Sequence, residues 1–118
     1  MKVLLVQENS AVRGVIRQLV TSPGTWIQEC SGSAEAITAY AASRPDFVIM
    51  DIGMRKLDGI AVCKQLKTMD AGARIVLVSD YDDAAMRESA QHAGACAYVL
   101  KDNLLELAGL LKAFSVRD

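Results

Sequence analysis

Phe47-Val48-Ile49-Met50-Asp51 is the stretch that decides the fold of this chain. Four apolar residues without polar alternation suit a parallel strand buried on both faces. The run ends abruptly in a carboxylate, and a carboxylate inside such a core would be costly. Placed just past the carboxyl end of the strand, Asp51 falls where open α/β sheets bind ligands.

On either side of this run, apolar runs and amphipathic stretches alternate. Strands are expected at Val3 to Val6, Trp26 to Cys30, Ile75 to Val78 and Ala97 to Leu100. Between them lie five helical stretches. The first carries Val12, Ile16, Leu19 and Val20 on one face and stops at Pro23-Gly24. The second starts at Ser33 as N-cap, with Glu35 in its first turn, and ends before Pro45 because Arg44 is biased away from helix. The third follows a loop from Ile52 to Leu57 and turns Ile60, Cys63 and Leu66 inward. The fourth begins after Asp82-Asp83 and closes at Gly94. The fifth follows Asp102-Asn103, with Leu104, Leu107, Leu111 and Phe114 at helical spacing.

Strict β-α alternation with near-continuous apolar strands predicts an α/β fold: a parallel sheet covered on both faces, with right-handed crossovers. Five units in 118 residues suit a flavodoxin-like doubly wound three-layer sandwich, whose known strand order is 2-1-3-4-5. That length fits a single domain over residues 1–118, with no second element beyond it.

Composition narrows the classes. The chain is 52% hydrophobic and 23% charged, so it can build a core and is not disordered. Its formal net charge of −1, without a Lys/Arg-rich block, offers no electrostatic footprint for nucleic acid or an anionic membrane. No apolar stretch approaches a membrane span, and the run after Met1 is too short for a signal peptide, so a cytoplasmic protein is the expectation. Three cysteines, Cys30, Cys63 and Cys96, without C-x-x-C spacing read as free thiols.

In a parallel sheet the carboxyl ends of all strands share one edge. The residues after each run then gather there: Gln7, Glu8 and Asn9; Asp51; Ser79 and Asp80; Lys101. Carboxylates without Cys or His suit a hard ion such as Mg²⁺. A lysine facing them can neutralise a phosphoryl oxygen, and an Asp carboxylate can be a nucleophile. The combination reads as a phosphoryl-transfer site.

Four pieces in order carry a resemblance: Val3-Leu4-Leu5-Val6 with Glu8 and Arg13; Val48-Ile49-Met50-Asp51-Ile52-Gly53-Met54 leading to Asp58-Gly59; Val76-Leu77-Val78-Ser79; and Gly94-Ala95-Cys96-Ala97-Tyr98-Val99-Leu100-Lys101. Together they resemble the receiver domain of two-component response regulators. Tyr81-Asp82-Asp83 and Leu100-Lys101-Asp102 resemble the subfamily that precedes a LuxR-type helix-turn-helix output domain. The resemblance implies that Asp51 is the phosphoacceptor for a histidine kinase. It implies Mg²⁺ held by Glu8, Asp51 and the backbone carbonyl of Gly53, with Gln7 acting through water. Lys101 and Ser79 would serve the phosphoryl group. Ser79 and Tyr98 would form the switch behind a face made by the fourth helix, fifth strand and fifth helix. The implied partners are the kinase and an output domain or partner protein, with a second copy of the chain as a further candidate. Neither an enzyme in the ordinary sense nor direct nucleic-acid or membrane binding is expected.

Three positions depart from the family pattern. Gln7 stands where a second acid is usual, which predicts weaker Mg²⁺ binding. Asp80 follows the switch hydroxyl where a small residue is usual; it either obstructs an incoming phosphoryl group or replaces the charge lost at Gln7. Met54-Arg55 replaces Met-Pro, and Arg55 either attracts an anionic donor or is solvated, the commoner state of a loop arginine. These departures keep a second reading open: a degenerate receiver acting as a phosphorylation-independent interaction module. A flavodoxin or a dehalogenase-type phosphatase is disfavoured. Gln7 to Arg13 is not a hydroxyl- and glycine-rich phosphate loop, and Asp51 is not followed by a second Asp two residues on.

Overall fold

The structure is a computed structural model that describes the backbone of residues 1–52 and 56–116; side chains 56–58 and 114–116 fall outside the description. Gly53 and Arg55 therefore lie outside the described residues, as does the Phe114 side chain. The elements run β1 (Lys2–Val6), α1 (Ser10–Val20), β2 (Trp26–Cys30), α2 (Ser33–Ser43), β3 (Phe47–Asp51), α3 (Lys56–Met69), β4 (Ile75–Ser79), α4 (Ala84–His92), β5 (Ala97–Leu100) and α5 (Glu106–Val116). All strand pairs are parallel, in the order β2-β1-β3-β4-β5. The flavodoxin-like fold is the one read from the apolar runs.

The strands alternate between two cores. Leu4, Val6, Val48, Met50, Ile75 and Leu77 pack with Ala36 and Tyr40 of α2, Cys63 and Leu66 of α3 and Ala90 of α4. Val3, Leu5, Phe47, Ile49, Val76 and Val78 pack with Ile16 and Val20 of α1 and Leu107 and Leu111 of α5. Both faces are covered, so the central strands have no polar position to spare. β2 lies at the edge and reads differently: Trp26 is 77% exposed, whereas Cys30 is buried.

Register places the site. Val6 pairs with Met50, Asp51 with Val78 and Ser79 with Leu100. The ends of β1, β3, β4 and β5 therefore reach one edge together. Two strands run one residue further than their apolar runs, because Asp51 and Ser79 are still paired. Asp51 is the last residue of β3, and the Ile52 N–H continues the ladder to the Val78 carbonyl at 2.9 Å.

Other boundaries also differ from the sequence reading. The N-cap of α2 is Gly32, with no side-chain cap, and Ser33 is already helical. The extended cap conformation falls one residue earlier than the hydroxyl. Arg44 does leave the helix, but in the left-handed region at φ 47°, where its guanidinium lies 3.3 Å from Asp70 and faces the Tyr40 ring. A 3-10 turn, Lys101–Asn103, precedes α5, which begins only at Glu106. Gly94 sits at φ 96° just past the α4 cap, as its composition signal predicts. Gly59 answers a tighter demand. A Cβ there would lie 2.8 Å from Ile52 Cα and 3.0 Å from the Asp51 carbonyl, so only glycine lets α3 press against the end of β3.

Candidate functional site

Asp51 is delivered by the buried strand to the carboxyl edge, where its side chain keeps only 6% exposure. A carboxylate so enclosed needs compensation. Lys101 Nζ lies 2.7 Å from Asp51 Oδ2. Gln7 Nε2 donates to the same oxygen at 2.5 Å.

The β1–α1 loop dictates which end of Gln7 faces Asp51. Asn9 caps α1 with its side chain, accepting from the Ala11 and Val12 N–H groups. The Asn9 N–H in turn donates to Gln7 Oε1 at 3.0 Å. With its carbonyl oxygen held there, the amide presents its NH₂ to Asp51. A glutamine in place of an acid thus supplies a donor to the carboxylate, where an acid would supply an acceptor.

Gln7 is gripped through its backbone as well. Its N–H donates to the Cys30 carbonyl at 3.0 Å, and its carbonyl accepts from Arg13 at 2.7 Å. Arg13 also bonds Glu29 of β2 at 3.0 Å, and Arg17 takes the other Glu29 oxygen at 2.6 Å. Glu29 does not stand out in the sequence as a site residue. The available signal was Arg13 and Arg17, four residues apart on one face of α1, facing an acid on the neighbouring strand.

The other flank comes from β4 and β5. Ser79 is buried, and its Oγ accepts from the Tyr81 N–H at 3.0 Å. Tyr98 OH donates to the Tyr81 carbonyl at 2.7 Å, and the Arg87 guanidinium lies 4.8 Å from the Tyr98 ring centre. Arg87 also pairs with Asp82 at 3.0 Å. Asp80 stands at the rim, 62% exposed, with Oδ2 at 3.3 Å from Lys101 Nζ. Burial works against the Lys101 ammonium, but hydrogen bonds and charge from Asp51 and Asp80 outweigh it and raise its pKa above the ordinary lysine value.

The structure thus brings Asp51, Lys101, Gln7 and Asp80 into one connected group. Ser79 and Tyr98 meet through the Tyr81 backbone. Glu8 is exposed at the end of β1, next to β3 in the sheet. Surface grooves of about 420 and 440 Å³ lie elsewhere, beside Leu19 and Leu111 and beside Trp26 and Pro45, and share no lining residue with this edge.

A family model for the response regulator receiver domain matches residues 3–113. The chain belongs to the response regulator receiver domains. Response regulator MprA of Mycobacterium avium (strain 104) is 31% identical over 106 residues, covering 90% of this receiver and 46% of that protein. Chemotaxis protein CheY of Bacillus subtilis (strain 168) is 33% identical over 110 residues, covering 89% and 92%. Among solved structures, a two-component response regulator of the LuxR family from Aurantimonas sp. SI85-9A1 superposes with a TM-score of 0.86 at 29% identity, covering 96% and 83%. The Mn²⁺-bound form of response regulator Rcp1 shares the fold with a TM-score of 0.80 at 16% identity, covering 96% and 92%. The receiver spans about half the length of MprA and nearly all of CheY.

Receiver domains are signalling domains rather than classical enzymes, and they generally bind Mg²⁺. The donor set here fits that ion in a sparse form. Among the described residues no group of three or more His, Cys, Asp or Glu converges on one point. Mg²⁺ keeps several waters and needs only one or two protein carboxylates; Asp51 ends β3, and Glu8 follows the end of the adjacent strand β1 by two residues. Among the described residues no helix is long and apolar enough to cross a membrane.

Proposed function

We propose that this receiver takes a phosphoryl group onto Asp51 from the phosphohistidine of a histidine kinase and uses the charge change to switch a partner-binding face. The observation that carries this reading is the near-buried Asp51 carboxylate, paired with Lys101 at the edge where the sheet meets solvent. Asp51 is the nucleophile: an Oδ–P bond forms as the donor's N–P bond breaks. The electron pair stays on the imidazole nitrogen, which then takes a proton. The carboxylate's single charge gives way to nearly two on the acyl phosphate.

Lys101 has three N–H donors for the phosphoryl oxygens. Ser79 keeps its hydroxyl proton to donate while its oxygen accepts from Tyr81. Mg²⁺, when bound, would supply charge neutralisation for the transferring group. Glu8, Asp51 and the Gly53 carbonyl would hold it, with Gln7 Oε1 reaching a bound water through its second lone pair.

The switch follows from the shared Tyr81 backbone. A Ser79 hydroxyl drawn to the phosphoryl group pulls on the Tyr81 N–H, and the Tyr81 carbonyl carries Tyr98 with it. The surface presented by α4, β5 and α5 then changes, and exposed Tyr81, bonded to Tyr98 of β5, would move with it. In this reading residues 1–118 are one receiver domain in the cytoplasm. Its partners are a histidine kinase and an output domain or partner protein, with self-association through the same face as an alternative.

The competing reading is a phosphorylation-independent interaction module. It draws on Gln7 and Asp80, which already occupy Asp51 and Lys101. Incubation with an acyl phosphate donor and Mg²⁺, followed by intact-mass measurement, separates the two. A mass gain of one phosphoryl group, lost in Asp51→Asn, supports phosphoacceptance; no gain in the native chain supports the module.

A further inference from the structure

Lys101 serves two carboxylates at once. Its ammonium stands 2.7 Å from Asp51 Oδ2 and 3.3 Å from Asp80 Oδ2. The sheet register makes this unavoidable: Ser79 pairs with Leu100, so the next residues, Asp80 and Lys101, leave the sheet side by side. The two acids differ in burial, at 6% exposure for Asp51 and 62% for Asp80. One is the reacting group. Among the described residues, the other pairs through its side chain with the cation that the reacting group depends on.

We propose that Asp80 is a positioning residue that competes with the phosphoryl group for Lys101, slowing the loading of Asp51 and shortening the life of the phosphoryl group once attached. The inference rests on the phosphoacceptor reading of Asp51. When the Oδ–P bond forms, the donor's bond to phosphorus breaks and its electron pair leaves with the leaving group. Negative charge beside Lys101 rises by about one unit. An ammonium has three N–H donors and no acceptor, and Asp80 holds one of them. Its carboxylate also repels the arriving group across that cation. Water at the rim screens this repulsion, so the expected brake is about tenfold rather than absolute.

The geometry also decides between the two roles open to Asp80 from sequence. A carboxylate compensating for Gln7 would sit on the metal side, beside Glu8. Asp80 is instead tied to Lys101 on the opposite flank, which favours obstruction.

The test compares the native chain with Asp80→Asn, Asp80→Ala and Asp80→Glu. Acetyl phosphate in Mg²⁺ is the donor, and Lys101 Nζ is titrated by NMR. Asp80→Asn and Asp80→Ala are expected to load about tenfold faster and to hold the phosphoryl group longer. Asp80→Glu is expected to keep the slow native rate. The acceleration should shrink as salt is raised, and the Lys101 midpoint should fall in Asp80→Asn. Labelling of the native chain with no acceleration in Asp80→Asn overturns the brake alone. No label on any variant, with the Lys101 midpoint still falling in Asp80→Asn, overturns the phosphoacceptor reading and the brake with it, leaving only an ion pair.

Discussion

β3 and β2 are both five-residue parallel strands that bring an acid toward the same edge, and they treat it in opposite ways. Asp51 ends the central strand, 6% exposed, and shares one lysine with a second carboxylate. Glu29 sits on the edge strand, 33% exposed, and is clamped by Arg13 and Arg17. An acid held by two cations is neutralised and fixed in place. Asp51, nearly buried and paired with a lysine that Asp80 also holds, stands where the sheet order reverses, the usual ligand edge of such folds. Glu29 reaches the edge only through Arg13 and the Gln7 carbonyl; Asp51 stands at the edge itself.

The largest effect that can test this contrast is on stability. Ile49→Ala in β3 removes a side chain with no exposure and is expected to cost about 2–5 kcal/mol. Ile27→Ala in β2 should cost under about 1.5 kcal/mol, because its site is only partly buried. Urea unfolding of both variants measures the difference, and equal losses would break the comparison.

Next come the ion pairs. Lys101→Ala takes the cation from a near-buried carboxylate and is expected to destabilise by about 2–3 kcal/mol. That is at or below the range of about 3–5 kcal/mol for a fully buried pair, because Lys101 is partly exposed and Gln7 still donates to Asp51. Glu29→Gln should lose about 1 kcal/mol or less, as exposed pairs do. The Lys101 pair also carries a pH signature. Its pKa is raised in the fold, so its stabilisation is complete below the ordinary lysine value and is lost as pH climbs through the higher folded value.

A smaller effect sharpens the site itself. Gln7→Asp turns a donor into a charged acceptor beside Asp51 and should tighten Mg²⁺ binding about tenfold, measured by calorimetry. Glu29→Gln should leave that affinity unchanged. An unchanged affinity in Gln7→Asp would mean that position 7 does not face the metal.

The smallest effect at neutral pH lies away from the site. Burial, with the hydrogen bond to Asp70, pushes the Tyr40 hydroxyl up to about 12. The folded chain therefore holds a proton that the unfolded chain releases near 10. Stability from this contact is full below pH 10 and falls as pH rises toward 12. Ultraviolet titration of tyrosinate should show a late step that Tyr40→Phe removes.

The fold was legible because burial on both faces forces continuous apolar runs, as at Phe47–Met50 and Ile75–Val78. The meeting of Asp51 and Lys101 was legible too, since strand ends share an edge. What Gln7 does was not. Glutamine carries both donor and acceptor, and only the Asn9 N–H, set by the cap of α1, decides which end meets Asp51. Asp80's partner was hidden because two roles fit one carboxylate until the β4–β5 register puts it beside Lys101. The Gly32 cap and the 3-10 turn before α5 escaped for a similar reason: a shift of a few residues leaves the apolar spacing unchanged.

The most direct test asks where the phosphoryl group goes. The chain is treated with acetyl phosphate, with Mg²⁺ or with a chelator, and then reduced with borohydride, which converts an acyl phosphate into an alcohol and marks the residue that carried it. Peptide mass analysis should find the mark at residue 51, dependent on Mg²⁺ and absent from Asp51→Asn. An unmarked residue 51 in the native chain, or a mark elsewhere that persists in Asp51→Asn, would contradict the account.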